Sequence, residues 1–328
     1  MARMRAWTLA GALLPALALV ACSSGNAVNK QTSTTAAGGS GKYGYKIAVV
    51  THGAAGDAFW SIVKAGVQKG ASDMGDNVSY ESDGDPQKQA QLIDAAVNQK
   101  VDGLVVSMAN PDALKGSIQR AISAGIPVIT INSGQDKSKE FGALTHVGSN
   151  ETLAGTAVGN QLKAAGVKNV VCVIHEAGNV ALEQRCAAVK AALGGTTTNL
   201  QVDNNNLPAA GSTIKAKLQA DKAVDGVVTL GGQVATVAAQ AITDAGSPAK
   251  LATFDLNADV AKAVQSGKIL FAVDQQPYLQ GYLPVVMLTL YKANLNVLGG
   301  GQPVLTGPTL VTKDNAAQIE KLAAAGTR

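Results

Sequence analysis

Polar residues recur where apolar runs end. After YKIAVV (45–50) come Thr51-His52-Gly53, and then Asp57-Ala58-Phe59-Trp60 opens a helical pattern. PVITIN ends in Asn132, with Ser133 next; the run 199–204 ends in Asp203-Asn204, with Asn205 next; KLATFD ends in Asp255 and ILFAVDQ in Gln275. Arg185 lies on the helical stretch after NVVCVIHE. An aromatic pair among Asp, Asn, Gln and Arg suits a polyhydroxylated small molecule. Aromatic faces cover its C–H patches, while carboxylates, amides and a guanidinium bond vicinal hydroxyls in pairs. The plainer reading makes Asp57 an N-cap and the two rings core. Adjacent helical residues point about 100° apart, so both rings cannot face one core, and at least one is expected in a cleft.

Other chemistry is poorly served. The sequence holds no GxSxG, HExxH or GxxxxGK[ST], and no GxGxxG after a strand. His52, His146 and His175 lack metal-ligand spacing and read as polar loop-edge residues; His175-Glu176 lacks a nucleophile partner. The chain is therefore read as a non-enzyme with no cofactor and no metal. No Lys/Arg-rich run marks a nucleic-acid footprint, and the formal charge is only +4.

The elements that must position these residues alternate. Strands are expected at 45–50, 78–83, 103–108, 127–132, 169–176, 199–204, 226–230, 250–255 and 269–275. Helices are expected at 57–75, 86–100, 112–125, 151–166, 181–194, 208–221, 233–246, 257–266 and 277–296, with a terminal helix in 313–328. The strand runs are continuous and apolar, as parallel strands covered on both faces require. The pattern also repeats: VDGLVV (101–106) matches VDGVVT (224–229), and AISAGIPVITIN matches AITDAGSPAKLATFD, about 120 residues apart. Two doubly wound α/β lobes follow, with ligands expected at the carboxyl ends of strands. With 46% hydrophobic and 15% charged residues, the chain has enough apolar mass for two cores.

The first 22 residues read as an address. Arg3 and Arg5 precede a short apolar run that ends in Leu19-Val20-Ala21-Cys22, which resembles a bacterial lipobox. Residues 1–21 are expected to be a signal peptide, Cys22 the lipidated residue, and 22–42 a Ser/Thr/Gly-rich tether. For Cys172 and Cys186, which share one strand–helix unit, a structural disulfide and two buried thiols both remain open.

These features together resemble the periplasmic sugar-binding proteins of the ribose-binding type, the solute receptors of ABC importers. The resemblance runs from about Tyr45 to Thr312, through KIAVV, the FW helix start, DGLVVSMANPDAL, AGIPVITIN, VGSNETLAG, the Arg185 helix, ATFD and AVDQQP. It implies a type I periplasmic binding protein: two parallel-sheet lobes joined by a three-segment hinge, crossing near 149–150, 275–276 and 302–303. The first lobe would hold 43–149 plus 276–302, the second 150–275 plus 303–312. It places ligand contacts at Asp57, Phe59, Trp60, Asn132, Arg185, Asn204, Asp255 and Gln275. Two departures stand out. Asn132-Ser133 replaces the family's frequent Asp-Arg, and Gly231-Gly232 replaces its frequent Asn-Asp; Gln233, which follows, joins the expected contacts. A plain ribose site is therefore not expected, and a different neutral monosaccharide or sugar alcohol is. THGAAGDAFW and AVDQQPYLQGYL also resemble a group of actinobacterial lipoproteins that take sugars or polyols. The resemblance implies an exported monomer, lipid-anchored to the outer face of the cytoplasmic membrane, that hands its ligand to an ABC permease and its ATPase. The alternative is a receptor that presents a sugar-like signal to a sensor kinase.

Overall fold

The computed structural model describes residues 43–54 and 56–328. The expected signal peptide, the Cys22 lipidation site and the tether lie outside the described residues.

The first sheet is built from β1 (Lys46–Thr51), β2 (Asn77–Ser82), β3 (Gly103–Ser107), β4 (Val128–Ile131) and β5 (Thr145–Ser149). Between them run α1 (Ala58–Met74), α2 (Pro86–Asn98), α3 (Pro111–Ser123) and the short α4 (Gln135–Ser138). The second unit repeats the scheme with α5 (Glu151–Ala164), β6 (Asn169–Ile174), α6 (Val180–Leu193), β7 (Thr196–Gln201), α7 (Leu207–Ala220) and β8 (Gly226–Thr229). It continues with α8 (Gly232–Asp244), β9 (Lys250–Phe254), α9 (Ala258–Gln265) and β10 (Ala272–Asp274). The chain then returns through α10 (Pro277–Asn294) and β11 (Val304–Gly307), and finishes with β12 (Thr309–Val311) and α11 (Ala316–Ala324).

The strand orders are β11-β5-β4-β3-β1-β2 and β12-β10-β9-β8-β6-β7. All pairings are parallel except β12 against β10. Each sheet is covered by helices on both faces, and each face has its own apolar cluster. That is why β3 and β4 are buried at every position and carry no polar alternation.

Two features were not anticipated. β5, THVGS, is a buried strand that pairs with β4 and β11. The third passage between sheets falls at Gly307-Pro308, not near 302–303, because β11 hydrogen-bonds to β5 in the first sheet before β12 joins β10 in the second. Residues 303–307 therefore belong to the first lobe.

Glycines let helices touch backbone to backbone. A Cβ at Gly281 of α10 would sit 2.0 Å from the Val63 carbonyl oxygen of α1, and one at Gly66 would sit 2.1 Å from that of Tyr278. The second lobe repeats the device where Gly155 of α5 meets the Arg185 carbonyl oxygen of α6. Cys172 on β6 and Cys186 on α6 are joined by a disulfide, with Cα atoms 5.8 Å apart.

Candidate functional site

The strand order reverses direction between β3 and β1 in one lobe and between β8 and β6 in the other. Loops leaving the carboxyl ends of those strands diverge there and open a crevice. The two crevices face each other across a cavity with about 570 Å³ of protein-free space, its mouth included. All nine expected contact residues line it: Asp57, Phe59, Trp60 and Asn132 from the first lobe, Arg185, Asn204, Gln233 and Asp255 from the second, and Gln275 at the second passage.

Asp57 serves two ends. Its Oδ1 accepts from the backbone N–H of Phe59 at 2.8 Å and of Trp60 at 3.3 Å, capping α1. Its Oδ2 accepts from Asn204 Nδ2 of the opposite lobe at 3.2 Å. Phe59 and Trp60 meet edge to face at 5.2 Å. Trp60 is also packed into the first-lobe core, its ring against Gly53, so it is wall and core together.

Asn132 and Asp255 end β4 and β9 in left-handed backbone, with φ of 61° and 67°. Asn and Asp tolerate that region better than most residues. Asn132 Nδ2 donates to Gln280 Oε1 at 3.3 Å. Buried Gln280 also donates through Nε2 to the Gln275 carbonyl at 3.1 Å and to Thr306 Oγ1 at 3.2 Å. One side chain thus ties the end of β4 to the second and third passages.

Arg185 is 2% exposed and already paired. Its Nε donates to Glu151 Oε2 at 2.5 Å and its Nη2 to Glu151 Oε1 at 3.1 Å, a bidentate fork that Gly155 permits by letting α5 lie against α6. Nη2 also donates to Gln275 Oε1 at 2.8 Å, and Gln275 Nε2 donates to Asp255 Oδ1. Nη1 reaches only the Leu230 carbonyl, at 3.4 Å, so donor capacity remains toward the cavity.

A sequence profile of the periplasmic binding protein domain matches residues 47–294. The chain belongs to the periplasmic binding protein family. A carbohydrate transporter from Acidothermus cellulolyticus 11B, solved in complex with myo-inositol, is 44% identical. That match covers 87% of this chain and 100% of that one, with a TM-score of 0.86. The ribose import binding protein of Escherichia coli (strain K12) is 27% identical over 275 residues, 81% of this chain and 86% of its own. The ribose import binding protein of Haemophilus influenzae is 27% identical over 237 residues, 70% and 79% of the two chains. The two-lobed architecture of this binding protein is the type I fold.

The lobes of this binding protein touch around the cavity. Gln184 Nε2 donates to Asp136 Oδ2 at 2.8 Å, Val180 N to the Ala109 carbonyl at 3.0 Å, Ser133 Oγ to Asn179 Oδ1 at 3.3 Å, and Gln233 Nε2 to the Gly56 carbonyl at 3.4 Å.

Burial sets the charge states. It pushes the Asp255 carboxyl up to about 7 against the pull of Arg185 and Gln275, with Asp57 and Glu151 adding to the rise. It also raises Glu151, which Arg185 opposes. Burial works against the Arg185 charge too, yet Glu151, Asp255 and Glu176 outweigh it and its pKa rises. Burial lowers His52 to about 4, although Asp57 opposes this. The His52 ring is therefore uncharged near neutral pH, and its Nε2, 3.6 Å from Glu176 Oε2, forms no ion pair.

Six further residues with polar side chains line the wall: His52, Ser133, His175, Glu176, Asn179 and Asn257. All three histidines are buried; His52 and His175 do sit at loop edges, whereas His146 lies inside β5. His52 and His175 follow β1 and β6 directly, the strand-end rule that picked out Asn132 and Asp255. Glu151 gave no such signal, because its meaning depends on Arg185 in a different helix.

Proposed function

We propose that this binding protein is the solute receptor of an ABC importer and binds a neutral polyhydroxylated ring, a cyclitol such as myo-inositol or a closely related monosaccharide or sugar alcohol, between its lobes. The observation that carries this is the state of the one guanidinium in the cavity. Arg185 is held by Glu151, so it offers directed N–H donors rather than a free positive charge. Around it stand Asp57, Asp255, Asn132, Asn204, Gln233 and Gln275, a set that exchanges hydrogen bonds with hydroxyls in any direction. A phosphate or carboxylate ligand would instead meet Asp57, Glu176 and Asp255 without a spare cation. Phe59 supplies an apolar face for ring C–H groups. The 44% identical Acidothermus protein, solved with myo-inositol, favours a cyclitol over an open chain.

The polar contacts on both lobes fit a ligand that closes them, a shift in population between open and closed forms. The Leu19-Val20-Ala21-Cys22 run and the stretch after it support a lipid anchor on the outer face of the cytoplasmic membrane, where the receptor would serve a permease and its ATPase.

Calorimetric titration of the purified protein with myo-inositol, its epimers, pentoses, hexoses, sugar alcohols and an inositol phosphate tests the reading. Saturable binding of a neutral polyol, with the phosphate bound more weakly, is expected. Tight binding of the phosphate alone refutes it.

A further inference from the structure

His175 is the first residue after β6, at the reversal point of the second sheet, and lines the cavity. It is 9% exposed. Its Nδ1 is buried with no hydrogen-bond partner among the described residues. Its Nε2 lies 4.0 Å from Glu176 Oε1, beyond hydrogen-bond reach. A buried imidazole left this way is costly, since an unmade hydrogen bond in the interior forfeits what water supplied.

The residue facing the ring is unusual in its own right. Gly231 caps α8, where Ser, Thr, Asp or Asn would ordinarily bond the first free N–H groups, and no side-chain cap is made. Its backbone, φ −157° and ψ 145°, is extended and open to any residue, so conformation does not demand glycine. Space does. A Cβ at 231 would lie 2.9 Å from His175 Cε1 and 3.2 Å from Nε2. The imidazole thus occupies the room a side chain at 231 would fill.

We propose that His175 is a specificity-determining contact of this site, its ring seated on Gly231 and one of its nitrogens hydrogen-bonded to a hydroxyl of the bound polyol. The proposal rests on the polyol reading above and adds the residue that reads stereochemistry. Burial lowers the His175 pKa, so the ring is neutral and carries one donor and one acceptor. A hydroxyl both gives and takes, and inverting its carbon moves it off the ring's plane. Glu176 and Asn179, held together at 2.6 Å, fix the loop beside it.

The test titrates wild type, His175→Phe, His175→Ala, Gly231→Ala and the His175→Ala/Gly231→Ala pair with myo-inositol and its single-inversion epimers, alongside melting curves. His175→Phe keeps an aromatic ring and removes both nitrogens. It should weaken the preferred epimer about 3- to 10-fold and flatten the preference among epimers. Gly231→Ala should weaken binding when His175 is present and be silent once it is Ala, because the clash is then gone. Unchanged affinities, or an equal loss on every epimer with the preference intact, overturn the proposal alone. A wild type that binds no member of the panel overturns the polyol reading, and this proposal with it.

Discussion

Replacing Asp255 by Asn sets binding against stability at one atom. The carboxyl is buried among Arg185, Gln275, Asp57 and Glu151, and burial carries it up to about 7. Its unfolded counterpart titrates near 3.9. The folded protein therefore holds this proton more tightly than the unfolded chain, and raising the pH penalises the folded state. The penalty starts near pH 4, grows by about 1.4 kcal/mol per pH unit, and levels off above pH 7 at roughly 4 kcal/mol. Asn carries no such penalty. It keeps an acceptor for Gln275 Nε2 and suits the left-handed φ of 67° at least as well. Loss of a negative neighbour to Arg185 offsets part of the gain. The expected net stabilisation of the ligand-free protein is about 2–3 kcal/mol at pH 8, a rise in melting temperature of roughly 4–10 °C, shrinking to near zero at pH 4. Calorimetric melting of both proteins from pH 4 to pH 8.5 measures it. A difference that ignores pH, or an Asn variant that melts lower at pH 8, refutes the burial argument. In titrations at pH 8, the same variant should lose about 10- to 150-fold in ligand affinity, the value of a hydrogen bond to a charged group.

Glu151→Ala should cost about 3–5 kcal/mol in denaturant unfolding, because it leaves the buried Arg185 without its fork partner; a loss below 1 kcal/mol would show the pair is dispensable. Reducing the Cys172–Cys186 bond, which spans 14 positions, should cost about 3 kcal/mol and lower the melting point, while a Cys172→Ser/Cys186→Ser double variant should not respond to reductant. Gly281→Ala should destabilise by more than about 3 kcal/mol, since its Cβ meets the Val63 carbonyl at 2.0 Å and backbone must move; the same substitution at exposed Gly116, inside α3, should instead stabilise slightly, by about 0.5–1 kcal/mol, in a parallel melt.

Apolar periodicity carried most of the fold because parallel strands sheathed on both faces leave unmistakable runs, as GLVVS and VITI do. THVGS escaped notice because its burial is achieved with a histidine and a glycine: a Cβ at Gly148 would stand 2.5 Å from His146 Nε2, so the two positions share one space. The edge strand β7, Thr196–Gln201, began earlier than expected, since with one neighbour it needs no apolar run and its threonines look like a loop. The third passage was misplaced because β11 and β12 are short and only pairing tells which sheet each joins. In the cavity, residues at strand ends were readable one at a time. Arg185 with Glu151, and His175 with Gly231, were not, because each makes sense only beside a partner from another element.

Gln280 binds the pivot of the molecule together, and two of the groups it holds, Asn132 and the Gln275 backbone, belong to residues that also line the cavity. A ligand bound there grips the axle rather than the rim. Farther along the seam the lobes are held by Gln184 with Asp136, Asn204 with Asp57 and Gln233 with Gly56, contacts that must break if the lobes swing apart. Substitutions at Gln184 and Asp136, neither of which lines the cavity, can therefore change how readily the lobes part while leaving the recognising residues untouched.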